Sequence, residues 1–218
     1  MWERRSHGNR IDNKKMKKFV LYTAIFGKPG RFNIPNISIP DVDRFCFTDL
    51  DVKSHFYQIR KMELNHLLSV KRQRWIKICI PDEIFDNYEY SVYVDCKRPY
   101  SVHFDYFLSC MEVDSDIVTR RHRRRSCLYD EGAFCIERKK DVKAIILKQL
   151  EFYKSQNYPA HNGLHASGLL IRRHTKRMKE FSERWWQQIE RYSHRDQISL
   201  PYVGWKYDMK ISLCGRHK

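Results

Sequence analysis

Several things are missing from this chain, and each absence narrows what it is. No run of about 18 apolar residues occurs, so no membrane-spanning helix is read from it, and the N-terminus lacks the apolar core of a secretory signal. The expectation is a soluble, cytoplasmic protein, residing in the host cytoplasm if its source is viral. The seven cysteines (Cys46, Cys79, Cys96, Cys110, Cys127, Cys135 and Cys214) are odd in number and contain no C-x-x-C pair. That argues against a zinc site and a disulfide framework, and for reduced, mostly buried thiols. No internal repeat, low-complexity segment or recognisable RNA- or DNA-binding motif appears. Negative charge is scarce as well: 26 acidic residues face 42 Lys and Arg, a formal balance of +16.

What is present suits a globular domain. The 218 residues, 42% of them hydrophobic and 14% aromatic, suffice for one well-cored domain and are few for two. The positive surface attracts polyanions: nucleic acid, anionic lipid headgroups, or the diphosphate of an activated substrate. Much of the charge sits between Arg4 and Lys18 and in the run Arg120-Arg121-His122-Arg123-Arg124-Arg125. Residues 1–16 read as a flexible basic arm, with Met16 a conceivable natural start, and 17–218 as the folded domain.

The chain is organised around Glu89-Tyr90-Ser91-Val92-Tyr93-Val94-Asp95-Cys96-Lys97. Its apolar run suits a central strand, and it ends on an acid followed by the cations Lys97 and Arg98. In open α/β sheets the carboxyl edge of the strands is where ligands bind, although a lone Asp there also starts turns and caps helices. Lys18–Ala24 reads as the first strand, followed by a Gly/Pro-rich loop, and Arg44–Asp49 as the second. Further strands are expected at His55–Arg60, Ile117–Thr119 and Gly168–Arg172. Helices are expected at Val70–Ile80, Val102–Cys110, Glu131 to about Gln156, and Thr175–Tyr192. The stripe Phe181, Trp185, Ile189 and Tyr192 on the last is read as core packing. Strands alternating with helices give an α/β domain with a mostly parallel central sheet flanked by helices.

Four places gather chemistry-bearing groups. Asp49 and Asp95 each end a strand and in a parallel sheet share one crevice. Arg72, Arg74 and Lys77 lie on one helix, suited to phosphate or sugar hydroxyls, or else to a plain solvated face. His161-Asn162-Gly163-Leu164-His165 reads as a polar turn that offers a histidine ligand, although a surface histidine is the commoner case. Arg195-Asp196-Gln197 follows the stripe helix, where Asp196 has helix capping as its simpler role.

As a set, these pieces resemble a known family. Tyr22-Thr23-Ala24-Ile25-Phe26-Gly27, Asp43–Asp49, Arg74-Trp75-Ile76-Lys77 and Ser91–Asp95 occur in the order found in the plant-type glycosyltransferase-like family long catalogued as a domain of unknown function. The likeness continues through His122, Arg125, Cys127, Tyr129, Glu131, Gln149, Tyr153, Pro159, Gly163-Leu164, Arg172, Trp185-Trp186 and Arg195–Ser199, and covers roughly residues 18 to 206. That family is similar to glycosyltransferase family 8. The resemblance implies a single GT-A-like, Rossmann-like domain, a nucleotide-sugar co-substrate (a UDP-sugar above all), and a divalent metal, Mn²⁺ or Mg²⁺. It implies that Tyr22, Thr23 and Ala24 line the base pocket with Asp49 nearby, that Arg74 reaches the donor, and that Asp95 and His165 hold the metal. Asp196 and Gln197 are implied to face the anomeric carbon and an acceptor that is a glycan, a glycoprotein or a modified base.

One departure matters. A D-x-D motif places two carboxylates on the ion, whereas the third position here is Lys97. Metal affinity should fall, and Lys97, Arg98 or the arginine run would then stabilise the leaving diphosphate. Metal dependence and anomeric outcome are both left open; an inverting route needs a carboxylate base, for which Asp196 and Glu131 are the candidates. Two competing readings exist. Pro81-Asp82 with Asp95-Cys96-Lys97 fits the PD-(D/E)xK pattern of metal-dependent nucleases, and the positive charge alone suits a basic nucleic-acid-binding domain.

Overall fold

The structure, a computed structural model, describes residues 17–27, 36–37, 42–95, 101–102 and 104–214. The arm of residues 1–16, Cys96, Lys97 and Arg98 lie outside the described residues. In chain order the elements are β1 (Lys17–Ile25), β2 (Asn36–Ile37), β3 (Asp43–Thr48), β4 (Gln58–Lys61), α1 (Ser69–Cys79), α2 (Asp82–Phe85), β5 (Tyr88–Val94) and β6 (Ser101–Val102). They continue with α3 (Phe104–Ser109), β7 (Ile117–Arg121), α4 (Leu128–Glu137), α5 (Lys143–Ser155), β8 (His165–Arg173), α6 (Lys176–Arg191), α7 (Asp196–Lys206) and β9 (Ile211–Cys214).

Seven strands form one sheet in the order β4-β3-β1-β5-β8-β7-β9, and β2 pairs with β6 apart from it. Every neighbouring pair in the large sheet is parallel except those made by β8, which runs against both β5 and β7. The expected α/β class with a mostly parallel central sheet is what the chain adopts.

Period-two alternation decides the faces. Val20, Tyr22, Ala24, Phe45, Phe47, Tyr93 and Leu170 point into the larger core under α1, α4, α5, α6 and α7. Leu21, Ile25, Cys46, Val92, Val94, Leu169 and Ile171 point into a thinner one that includes Phe107 of α3. The stripe on α6 is core, with Phe181, Trp185 and Ile189 all buried, and the helix starts where the Thr175 hydroxyl accepts from the Met178 amide. No helix among the described residues is long and apolar enough to cross a membrane.

Some expectations are corrected. The single helix expected from Glu131 to Gln156 is two, α4 and α5, because Lys139 takes the left-handed backbone (φ 48°) and its amide and that of Lys140 close the end of α4 on Ile136 and Cys135. The two then fold back on each other, with Gly132 so close to Leu150 that a Cβ there would meet it at 2.7 Å. The segment 161–165 is not wholly a turn, since His165 opens β8. The expectation of thiols without disulfides fails at one pair: Cys110 and Cys214 are bonded, tying the end of α3 to β9, while among the described residues Cys46, Cys79, Cys127 and Cys135 lie outside any disulfide.

Candidate active site

Because β1, β3, β5 and β7 share one direction, their carboxyl ends share one edge of the sheet. Asp95 stands there, its amide bonded to Gly168 O at 2.9 Å on the strand beside it. Its Oδ1 accepts from the Tyr93 hydroxyl at 3.0 Å and from Gln73 Nε2 at 3.1 Å, and its side chain is 30% exposed, open to the crevice.

Helix α1 runs past this edge, and the three-residue spacing of Arg74 and Lys77 puts both cations on one of its faces. They meet Asp196, the first residue of α7. Lys77 Nζ lies 2.5 Å from Asp196 Oδ2, and Arg74 Nε 3.4 Å from Oδ1. Ser167 of β8 donates to the same carboxylate at 2.9 Å. Lys77 also lies 3.9 Å from Asp95 and over the Tyr93 ring, so it bridges the open acid and the sealed one. Burial alone would push the Asp196 carboxyl up, but Arg74, Lys77 and Arg195 together hold it well below the usual carboxylate range. For Arg74, burial pulls the guanidinium down, yet Asp196 and then Asp95 more than offset it and raise its pKa.

The presentation of these cations depends on Arg172, which is fully buried on β8. Its Nη1 donates to Lys77 O at 2.7 Å and Ile78 O at 3.2 Å, satisfying carbonyls that the end of α1 leaves free, and its Nη2 meets the Tyr22 hydroxyl. Burial lowers the Arg172 pKa and pushes the Tyr22 phenol up to about 12.

A second cluster lies beside the first. Glu131, buried on α4, receives Arg125 Nε at 2.6 Å, with His122 Nε2 and Arg195 Nη2 each at 3.9 Å. Arg195 also donates to Gln197 Oε1 at 3.4 Å, which links this cluster to the start of α7. Gln197 Nε2 donates to His165 O at 3.3 Å. The His165 ring is buried, its Nδ1 has no partner, and burial followed by the charge of Arg121 lowers its pKa to about 4, which keeps it neutral.

The structure thus brings Arg74, Lys77, Asp95 and Asp196 together, with Gln197 and Glu131 adjoining through Arg195. The remaining candidates contribute no charged side chain to that group. Asp49 accepts from Gly27 N at 3.1 Å and from Arg72 Nη1 at 2.9 Å, bracing the turn after β1. Tyr22, Thr23 and Ala24 are all buried within β1, where Thr23 donates to Val94 O at 2.7 Å. Among the described residues, the three metal-capable groups within reach of one another are Cys127, Asp130 and His161; neither Asp95 nor His165 belongs to such a set. Asp82 opens α2, before the amino end of β5, and faces Lys179 at 3.8 Å. The seven residues of β5, roughly 20 Å of strand, separate it from Asp95, so the two acids of the nuclease pattern do not meet.

Gln73, Ser167 and Tyr93 escaped the sequence as site residues. Gln73 had a signal, since it lies four residues before Lys77 on the same helix face; Ser167 had none.

No curated protein matches the chain. Among solved structures, the apo form of mouse xyloside xylosyltransferase 1 superposes with a TM-score of 0.47 at 9% identity, covering 90% of this chain and 85% of that one. The apo WbbM bifunctional glycosyltransferase gives 0.47 at 10% identity, over 94% of this chain and 40% of the other. The model of the TOD1/MUCI70, glycosyltransferase-like domain matches residues 68–214, which include α1, Asp95, Glu131, Arg172 and Asp196. Spanning more than half of the sequence, that match shows that the chain belongs to the TOD1/MUCI70 glycosyltransferase-like domain family.

Proposed function

We propose that the chain transfers a sugar from a nucleotide-sugar donor, a UDP-sugar, to a hydroxyl of a glycan or glycoprotein acceptor, in the crevice at the carboxyl edge of the sheet. The observation that carries this is the convergence of Arg74 and Lys77 with Asp95 and Asp196 from three separate elements at that edge. Breaking the bond between the anomeric carbon and the β-phosphate oxygen leaves negative charge on the diphosphate and positive charge on the sugar. Arg74 answers the first, helped by Lys97 and, through its field alone, by the buried Lys77, and a fixed anion answers the second. Asp196 suits the role of that anion better than that of a base, because a carboxyl held so far down stays ionised and takes up a proton poorly; the proton of the acceptor hydroxyl passes to the β-phosphate oxygen that leaves the anomeric carbon.

A divalent ion is implied by the GT-A resemblance, and the donor set here does not fit one. Asp95 offers a single carboxylate whose Oδ1 already accepts two hydrogen bonds, with an ammonium 3.9 Å away and Lys97 where a second acid would stand. The leaving charge therefore falls to the protein's own cations.

The test is a thermal-shift panel of nucleotides with and without EDTA, followed by donor hydrolysis read by mass spectrometry. UDP at a hundredfold excess over its Kd should raise the melting temperature by about 5–10 °C, with little change on chelation. Asp95→Asn should keep the fold and lose turnover. Stabilisation by neither UDP nor GDP, or full turnover in both Asp95→Asn and Asp196→Asn, would remove the proposal.

A further inference from the structure

A cavity of about 450 Å³ lies between α1 and α6, within the roughly 300–1,000 Å³ of small-ligand sites. It is on the side of α1 that carries Trp75 and Cys79, away from Arg74 and Lys77. The helices run antiparallel here: Lys71 Nζ donates to Glu190 O at 3.1 Å near one end, and Lys179 meets Asp82 at the other. Half-buried Trp75 and mostly buried Trp186 supply two indole walls. Ser182 is 2% exposed and lines the cavity, and its hydroxyl has no hydrogen-bond partner. The exposed Glu183, Gln187 and Glu190 form the rim.

This combination is unusual for a chain of net charge +16. Indole faces pack against the C–H faces of pyranose rings, carboxylate and amide oxygens accept from ring hydroxyls, and an unmatched serine hydroxyl waits for a polar partner. The cation at the rim, Lys179, is already engaged by Asp82. Phosphates, nucleotides and uronates would face the three carboxylates of Asp82, Glu183 and Glu190 against the single ammonium of Lys179. We propose that the cavity between α1 and α6 is a second carbohydrate-binding site that holds one or two residues of a neutral glycan.

Its role rests on the transferase reading: it would anchor the non-reacting part of the acceptor. The geometry allows this because the same turn of α1 that receives Glu190 through Lys71 also carries Arg74, whose Nε donates to His194 O at 3.2 Å beside Asp196. The binding itself needs no donor, so the two readings are separable.

The experiment uses the full chain without donor. Cellotriose, xylotriose, mannotriose and galactotriose are titrated against tryptophan fluorescence and saturation-transfer NMR, with trigalacturonate and choline as anionic and cationic controls. At least one neutral trisaccharide should bind with a Kd of about 1–10 mM, and neither control should compete. Trp75→Leu should weaken that binding about tenfold or more, and Glu183→Gln about threefold to tenfold. Glu183 is exposed, so its variant stays folded whatever happens at Trp75. Stabilisation by UDP should be the same in wild type and both variants. Absence of neutral-trisaccharide binding below about 50 mM, binding indifferent to both substitutions, or preference for either control overturns the site. Trisaccharide binding without any UDP effect leaves the site standing and removes its acceptor role.

Discussion

Asp196→Ala takes away the anion that Lys77 Nζ meets at 2.5 Å and leaves an ammonium only 1% exposed, with Asp95 at 3.9 Å as its remaining acid. Removing one partner of a buried ion pair costs about 3–5 kcal/mol, because the other charge stays desolvated. In a domain of this size each kcal/mol moves the melting temperature by about 2–4 °C, so a fall of roughly 6–20 °C is expected. Removing both charges while keeping volume, in Lys77→Met/Asp196→Leu, should recover much of that loss, with a coupling of about 2 kcal/mol or more. Urea unfolding of wild type, Lys77→Met, Asp196→Leu and the double variant measures it. The pH dependence has a definite sign: a carboxyl depressed in the folded state gives stability that is full above its unfolded pKa of roughly 4 and is lost as the pH falls below that. The gap between wild type and Asp196→Asn should therefore be constant from neutral pH to about 5 and close in stronger acid. A loss under about 1 kcal/mol for Asp196→Ala, or a double variant no more stable than the worse single one, would refute the buried pair.

Three further outcomes are expected. Gly27→Ala meets Ser69 Cβ at 2.8 Å and sits at φ +84°, whereas Gly163→Ala has the same backbone sign (φ +89°) and open space; urea titrations should show about 2–3 kcal/mol lost at Gly27 and about 1 at Gly163. His174 is kept neutral by burial, its pKa lowered to about 4, while Nδ1 meets Tyr88 O at 2.6 Å and the ring stacks on Phe85. The unfolded chain protonates first, so stability present above about pH 6.5 should decline by a few kcal/mol toward pH 4, and His174→Phe should flatten that slope. Non-reducing peptide mapping should recover Cys110 linked to Cys214, and Cys110→Ser should cost about 2–5 kcal/mol under oxidising conditions.

Much of the fold was legible because it rests on neighbours along the chain. Near-continuous apolar runs along Lys18–Ala24 and Ser91–Val94 announce strands with two buried faces, and Thr175 marks the start of α6 through its cap. Elements were missed where local rules pointed elsewhere. Pro201 and Gly204 argue against helix within 196–206, yet Leu200, Tyr202 and Val203 are buried against the core and packing outweighs propensity. The break between α4 and α5 carries no proline or glycine; it depends on Lys139 accepting a left-handed conformation.

Sequence alone determined the strand ending on Asp95, the cation face of α1, and the family, because residue spacing and ordered motifs are properties of the linear chain. Tertiary structure decided the rest: the reversal of β8, the bond between Cys110 and Cys214, and above all the meeting of Arg74 and Lys77 with an acid on α7. No spacing along the chain encodes such contacts. They exist because Arg172 and the packing of α1, α6 and α7 on one sheet face remove water from between the charges, and burial is a property of the folded whole.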